Sequence, residues 1–229
     1  MLLNFLDNLR NGAQMTPFDI LIMMLSYAVI LFLCLPVHEL AHALVAHWCG
    51  DDTAKWYGRL TLNPFKHLDA WGTAMILLAG FGYAKPVPVN SRNFRHYKRD
   101  MILVALAGPL SNFLMAAVSM FFLNLILFLG LNGVATSMVA TILYLVTTVN
   151  ISLMVFNLLP IPPLDGSRLW SSLLPGRWAY TLEQYSQYIT IGLMVLIFSN
   201  ALDVPLAYMR SAVVYLLDII TGWPFLLLK

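Results

Sequence analysis

The chain has 229 residues, 60% of them hydrophobic and only 10% charged, with a mean hydropathy of +0.76. Soluble domains carry about 25% charged residues, so this chain has too few to cover a water-exposed surface, which excludes an ordinary soluble enzyme and a disordered chain. The formal net charge of +2 is too small to imply nucleic acid or another polyanion as partner. The composition predicts an all-α polytopic membrane protein, one domain over residues 1–229, with about four to six spanning helices of about 20 residues each.

The N-terminus does not resemble a cleavable signal peptide: Asp7 interrupts it and no basic region leads it. The first apolar segment, Ile20–Gly50, holds only Glu39 and three histidines among largely apolar residues. Cys34 and Cys49 lie about 22 Å apart if this segment is one helix, too far for a disulfide. Pro36 removes a donor just before His38 and is expected to kink the helix. Ala70–Ala84 is shorter and weakened by three glycines, and reads as a re-entrant segment. Lys85–Asn90 cannot be helical, because Pro86 and Pro88 remove donors and extend their predecessors; a short β element on an edge is expected there. Met101–Gly130 and Val134–Leu159 carry no charge, and Gln184–Leu202 is similar. All three are long enough to span. The tail from Val204 contains Arg210 and Asp218 and is expected to span obliquely or lie in the interface.

Basic residues orient these segments. If Ala70–Ala84 does not cross, then 51–69, 85–100 and 161–183 share one face, with ten of the 13 Lys and Arg residues; only Arg10, Arg210 and Lys229 lie elsewhere. The positive-inside rule makes that face cytoplasmic and the N-terminus external.

The sharpest chemical feature is His38-Glu39-Leu40-Ala41-His42. Residues i and i+4 share a helix face, so both imidazoles can reach one Zn²⁺ ion. Glu39 then sits beside the metal as a general base. Three ionisable groups in a membrane helix are costly unless they bind something or line a wet cavity. A catalytic zinc needs a third protein ligand and an open position. Asp165, in a Pro-rich turn after the fourth apolar segment, is the candidate. The helix count returns it to the face that the first helix reaches after His42.

These residues resemble a family. HELAH in a membrane helix, Ala107-Gly-Pro-Leu-Ser-Asn112, and the segment from Asn157 to Leu164-Asp-Gly166 look like the site-2 proteases, intramembrane zinc metalloproteases acting on membrane-anchored substrates. The likeness covers about 20–177 as the family core, leaving 184–229 as C-terminal membrane segments. It implies one zinc ion on His38, His42 and Asp165, with Glu39 as the catalytic glutamate. Gly58–His67 and Lys85–Asn90 are similar to a short bacterial or archaeal branch, without room for a PDZ domain. The resemblance therefore implies a plasma-membrane protein that cuts peptide bonds in or near transmembrane segments of protein substrates.

Three further residues carry weaker expectations. Asn157 could contact substrate or an oxyanion, or cap or bridge helices. Asn112 could do the same, but with Gly108 one turn earlier a close helix approach is favoured. His67 could line the active-site entrance, although a solvated loop histidine is favoured. His47, about 140° around the helix from His42, should not be a ligand. The sequence leaves two rival readings. A catalytically silent binding homologue would keep the fold, yet the set of HExxH plus Asp argues against it. A metal transporter would favour polar residues along the long helices, where 101–159 offers only Ser, Thr, Tyr and Asn.

Overall fold

The computed structural model describes residues 17–79 and 82–226. Among them every regular element is helical. Helix α1 (Pro17–Val29) passes through a π-helical turn (Ile30–Cys34) into α2 (Leu35–Trp48). Together they supply one apolar stretch, Ile20–Trp48, long enough to cross a bilayer. The π turn lies immediately before Pro36, where the Leu35 N–H reaches back to the Ile30 carbonyl. The expected disturbance at Pro36 is thus a widened turn, a common form of ladder disruption.

Short elements follow: α3 (Thr53–Trp56), α4 (Pro64–His67) and α5 (Ala70–Ala79). Asn63 caps α4 by accepting from the Phe65 N–H at 3.1 Å, with Pro64 in the first helical position. Asp69 starts α5 in the same way, accepting from Trp71 and Gly72. At about 15 Å, α5 is half the thickness of a hydrocarbon core of about 30 Å. The chain on either side of it meets: the Lys85 N–H donates to the His67 carbonyl at 2.7 Å.

Lys85–Asn90 is extended, but no strand forms among the described residues. Pro86 and Pro88 have no donors, and the Lys85, Val87 and Asn90 N–H groups find acceptors outside any ladder. Val87 donates to Glu39 at 3.1 Å and Asn90 to Asp51 at 2.7 Å.

The remaining long helices are α6 (Tyr97–Phe128) and α7 (Val134–Asn157), then the amphipathic α8 (Asp165–Leu173) and α9 (Gly176–Gln184). Helix α10 (Ser186–Phe198) and α11 (Asp203–Leu226) complete the chain. Four stretches are long and apolar enough to span: Ile20–Trp48, Tyr97–Phe128, Val134–Asn157 and Asp203–Gly222. The C-terminal assignment therefore changes. The apolar run expected to span at Gln184–Leu202 holds a helix of only 13 residues, whereas the tail forms the long one. Asn200, in the left-handed region at φ 56°, belongs to the turn that separates them.

Helices α6, α7 and α11 pack around Ala116, Met120, Ile151, Val155 and Leu217. A second cluster, Tyr27, Leu31, Leu35, Ile76 and Ala84, ties the first span to α5. Both leave the middle of α2 facing α6, and there the polar residues lie.

Candidate metal centre

Helix α2 presents His38 and His42 on one face, and the first turn of α8 presents Asp165. The ring nitrogens Nε2 of His38 and His42 lie 3.1 Å apart, and Asp165 Oδ2 lies 3.1 and 3.2 Å from them. Both imidazoles are buried, at 4% and 6% exposure. The turn that delivers Asp165 is tight. A Cβ on Gly166 would collide with the Leu158 and Leu159 carbonyls, so Gly alone fits after the aspartate.

The donor chemistry of this triangle fits a cation. His42 Nδ1 lies 2.7 Å from the Val104 carbonyl, which can only accept. Neutral His42 therefore carries its proton on Nδ1 and turns a bare lone pair on Nε2 towards His38 and Asp165. Carboxylate oxygen Oδ2 adds a second lone pair. Tetrahedral zinc with bonds of about 2.0–2.1 Å separates its ligand atoms by about 3.3–3.4 Å, close to the spacing found. His38, His42 and Asp165 could therefore hold a metal ion.

Glu39 is buried beside this triangle at 9% exposure, and its Oε2 accepts the Val87 N–H at 3.1 Å. The extended segment thus reaches the candidate base directly. Its outer end is fixed by Asp51, wholly buried, which accepts from Asn90 N, Asn93 Nδ2, Thr53 N and Thr53 Oγ1. Burial would raise the Asp51 pKa, but these donors outweigh it and hold the carboxyl below its ordinary value. Arg59, buried at 5% exposure, steadies the same segment by donating to the Lys66 and Pro86 carbonyls.

The secondary candidates separate. Asn112 joins the site: its Nδ2 lies 3.1 Å from His38 Nδ1. Its neighbour Gly108 also permits the close helix approach, since a Cβ there would fall inside contact distance of both imidazoles. Asn157 donates to the Leu153 carbonyl of its own helix at 3.0 Å, a local bond rather than a link to the triangle. His67 is not a solvated loop residue. It is wholly buried at the end of α4, with Nε2 2.7 Å from the Thr61 carbonyl. His47 pairs with Asp52, away from the triangle. Cys34 and Cys49 are both free thiols.

Sequence reasoning missed Val104 and Val87, which act through backbone groups and leave no side-chain signal. Asp51 was readable in principle, since an acidic residue just past the histidine helix and before Thr53 suggests a local turn bond.

Comparison with known proteins identifies a family. The family model described as Peptidase family M50 matches residues 26–131 and 127–199. The Bacillus subtilis protein named "Putative zinc metalloprotease YwhC" is 44% identical over 176 residues, which cover 76% of this chain and 80% of that protein. Proteins named "Putative zinc metalloprotease Rip2" from Mycolicibacterium smegmatis and Mycobacterium tuberculosis are 31% and 32% identical, covering 75% of this chain and 65% of theirs. No solved structure matches. With three side chains that could hold a metal ion and helices suited to a membrane, the chain belongs to Peptidase family M50, the site-2 protease family of metalloproteases.

Proposed function

We propose that this protein is an intramembrane zinc endopeptidase that hydrolyses peptide bonds in or near the transmembrane segments of membrane-anchored proteins. The observation that carries the reading is the triangle of two buried histidines, His38 and His42, and the partly buried Asp165, with Glu39 beside it. Bound by those three side chains, zinc supplies Lewis-acid polarisation of the scissile carbonyl and acidifies a water. Glu39 takes a proton from the attacking water as its oxygen bonds to the carbonyl carbon. The same carboxyl then delivers that proton to the leaving nitrogen as the C–N bond breaks. The Val87 N–H holds the Glu39 carboxylate towards the extended segment.

The membrane setting follows from the same features. Residues 70–84 are read as a re-entrant segment, and the hydrogen bond from the Lys85 N–H to the His67 carbonyl, which brings together the chain on either side of it, supports a return by one face. That face carries most of the basic residues and is cytoplasmic, in a bacterial or archaeal plasma membrane. A substrate helix has to unwind before its carbonyls become available, because its backbone is hydrogen-bonded from i to i+4.

Replacing the base without touching a ligand tests the reading. Purified Glu39→Gln protein should retain stoichiometric zinc and lose cleavage of a transmembrane peptide, while Asp165→Ala should lose both. Hydrolysis at the wild-type rate by Glu39→Gln would overturn the mechanism. Unchanged zinc content of Asp165→Ala at limiting metal would mean that another group is the third ligand.

A further inference from the structure

Helix α6 faces the two histidines with a stripe of three residues one turn apart: Val104, Gly108 and Asn112. The stripe matches the i, i+4 spacing of His38 and His42 on α2. Val104 meets the outer nitrogen of His42, Asn112 meets that of His38, and Gly108 leaves room for both rings. The two outer contacts differ in kind. A backbone carbonyl can only accept, so the proton on His42 is fixed. The Asn112 amide can present either its NH₂ or its oxygen to His38, because the two ends have nearly the same shape.

The choice between those ends decides what His38 can do. With NH₂ towards Nδ1, neutral His38 must carry its proton on Nε2, pointing at Asp165 and His42, where it blocks a metal bond. With the amide oxygen towards Nδ1, the proton sits on Nδ1 and Nε2 is bare. Asn112 is wholly buried, and its Oδ1 has no partner in the orientation with Nδ2 towards His38. Turning the amide therefore breaks no other bond of that side chain.

Resting on the zinc reading of the triangle and extending it, we propose that Asn112 is the positioning residue of this metal centre. Its amide oxygen accepts the Nδ1 proton of His38 and holds Nε2 free for the metal, so that α6 supplies an outer acceptor to each histidine. The side chain is not a substrate or oxyanion contact; it acts through His38. Groups that orient metal-bound histidines in this way commonly change metal affinity about 10–100-fold when removed.

The test measures zinc affinity of the full-length protein in detergent by chelator competition, together with thermal melting of the metal-free forms. Asn112→Leu, similar in size but without an acceptor, should bind zinc about 10–100-fold more weakly. Asn112→Asp, which always presents an acceptor, should bind at least as tightly as wild type. The Co²⁺ absorption spectrum should change with Leu and persist with Asp. Wild-type affinity in Asn112→Leu overturns the proposal, as does equal weakening in both variants, which would mark a packing role. If Asn112→Leu does not fold, weakened binding by Asn112→Asp alone overturns it. A wild-type protein that binds no zinc would instead overturn the metal reading itself.

Discussion

At the scale of single residues, the candidate site is built as much by what is missing as by what is present. Gly108 has hydrogen where any other residue would press a carbon into His38 and His42. Gly108→Ala should therefore force the histidine helix and α6 apart, an overpacking that typically costs about 1–3 kcal/mol. The expected result is at least a tenfold loss of zinc affinity and a lower melting temperature, read by metal titration and thermal unfolding in detergent. Unchanged affinity would mean that the backbone yields without moving the rings. His38, Glu39 and His42 were legible in the sequence because helical spacing and the price of burying charge in a membrane point the same way. Asp165 was legible through its Pro-rich turn, the count of crossings and the family resemblance rather than through spacing. The Val104 carbonyl and the Val87 N–H were not, since a backbone group looks the same behind every valine. His67 misled for a related reason: nothing in its neighbours reveals that Thr61 will offer it a carbonyl and close over it.

At the scale of elements, the extended segment matters most, and Asp51 is its anchor. Because its folded pKa lies below the unfolded value of about 3.9, Asp51 contributes stability that is present above that value and is lost as pH falls through the folded pKa. Asp51→Asn places an NH₂ among donors, a mismatch of the kind that costs about 1–3 kcal/mol. Its melting temperature should fall at pH 7, and the gap from wild type should narrow as pH drops below about 4. Cleavage should also fall, since the Val87 donor would no longer be held at Glu39. Melting equal to wild type at pH 7 would remove Asp51 as the anchor. Pro86 and Pro88 led to an expected β element here and the chain is indeed extended, but prolines at alternate positions and donors spent on side chains leave no ladder. The C-terminal helices exposed the opposite weakness. Apolar length alone favoured 184–202 as the span, and only the turn containing Asn200 reveals where that helix ends.

At the scale of the whole molecule, crossings decide whether the site can assemble. Cysteines introduced at Arg95 and Ser172 should react with a membrane-impermeant thiol reagent from one side. A cysteine at Asn132, exposed between α6 and α7, should react only from the other. The native Cys34 and Cys49 are buried and give a low background. Opposite labelling of Arg95→Cys and Ser172→Cys would break the parity that brings Asp165 to the histidines. The fold class and the number of long apolar helices were legible because composition and run length are global quantities, insensitive to local turns. Helix α10 carries a further meaning at this scale. Its 13 residues measure about 20 Å, some 10 Å less than the hydrocarbon thickness of an ordinary bilayer. A helix of that length reaches both surfaces only of a bilayer thinned around it, and since such mismatch costs fractions of a kcal/mol per ångström, α10 would draw the molecule towards thinner membranes.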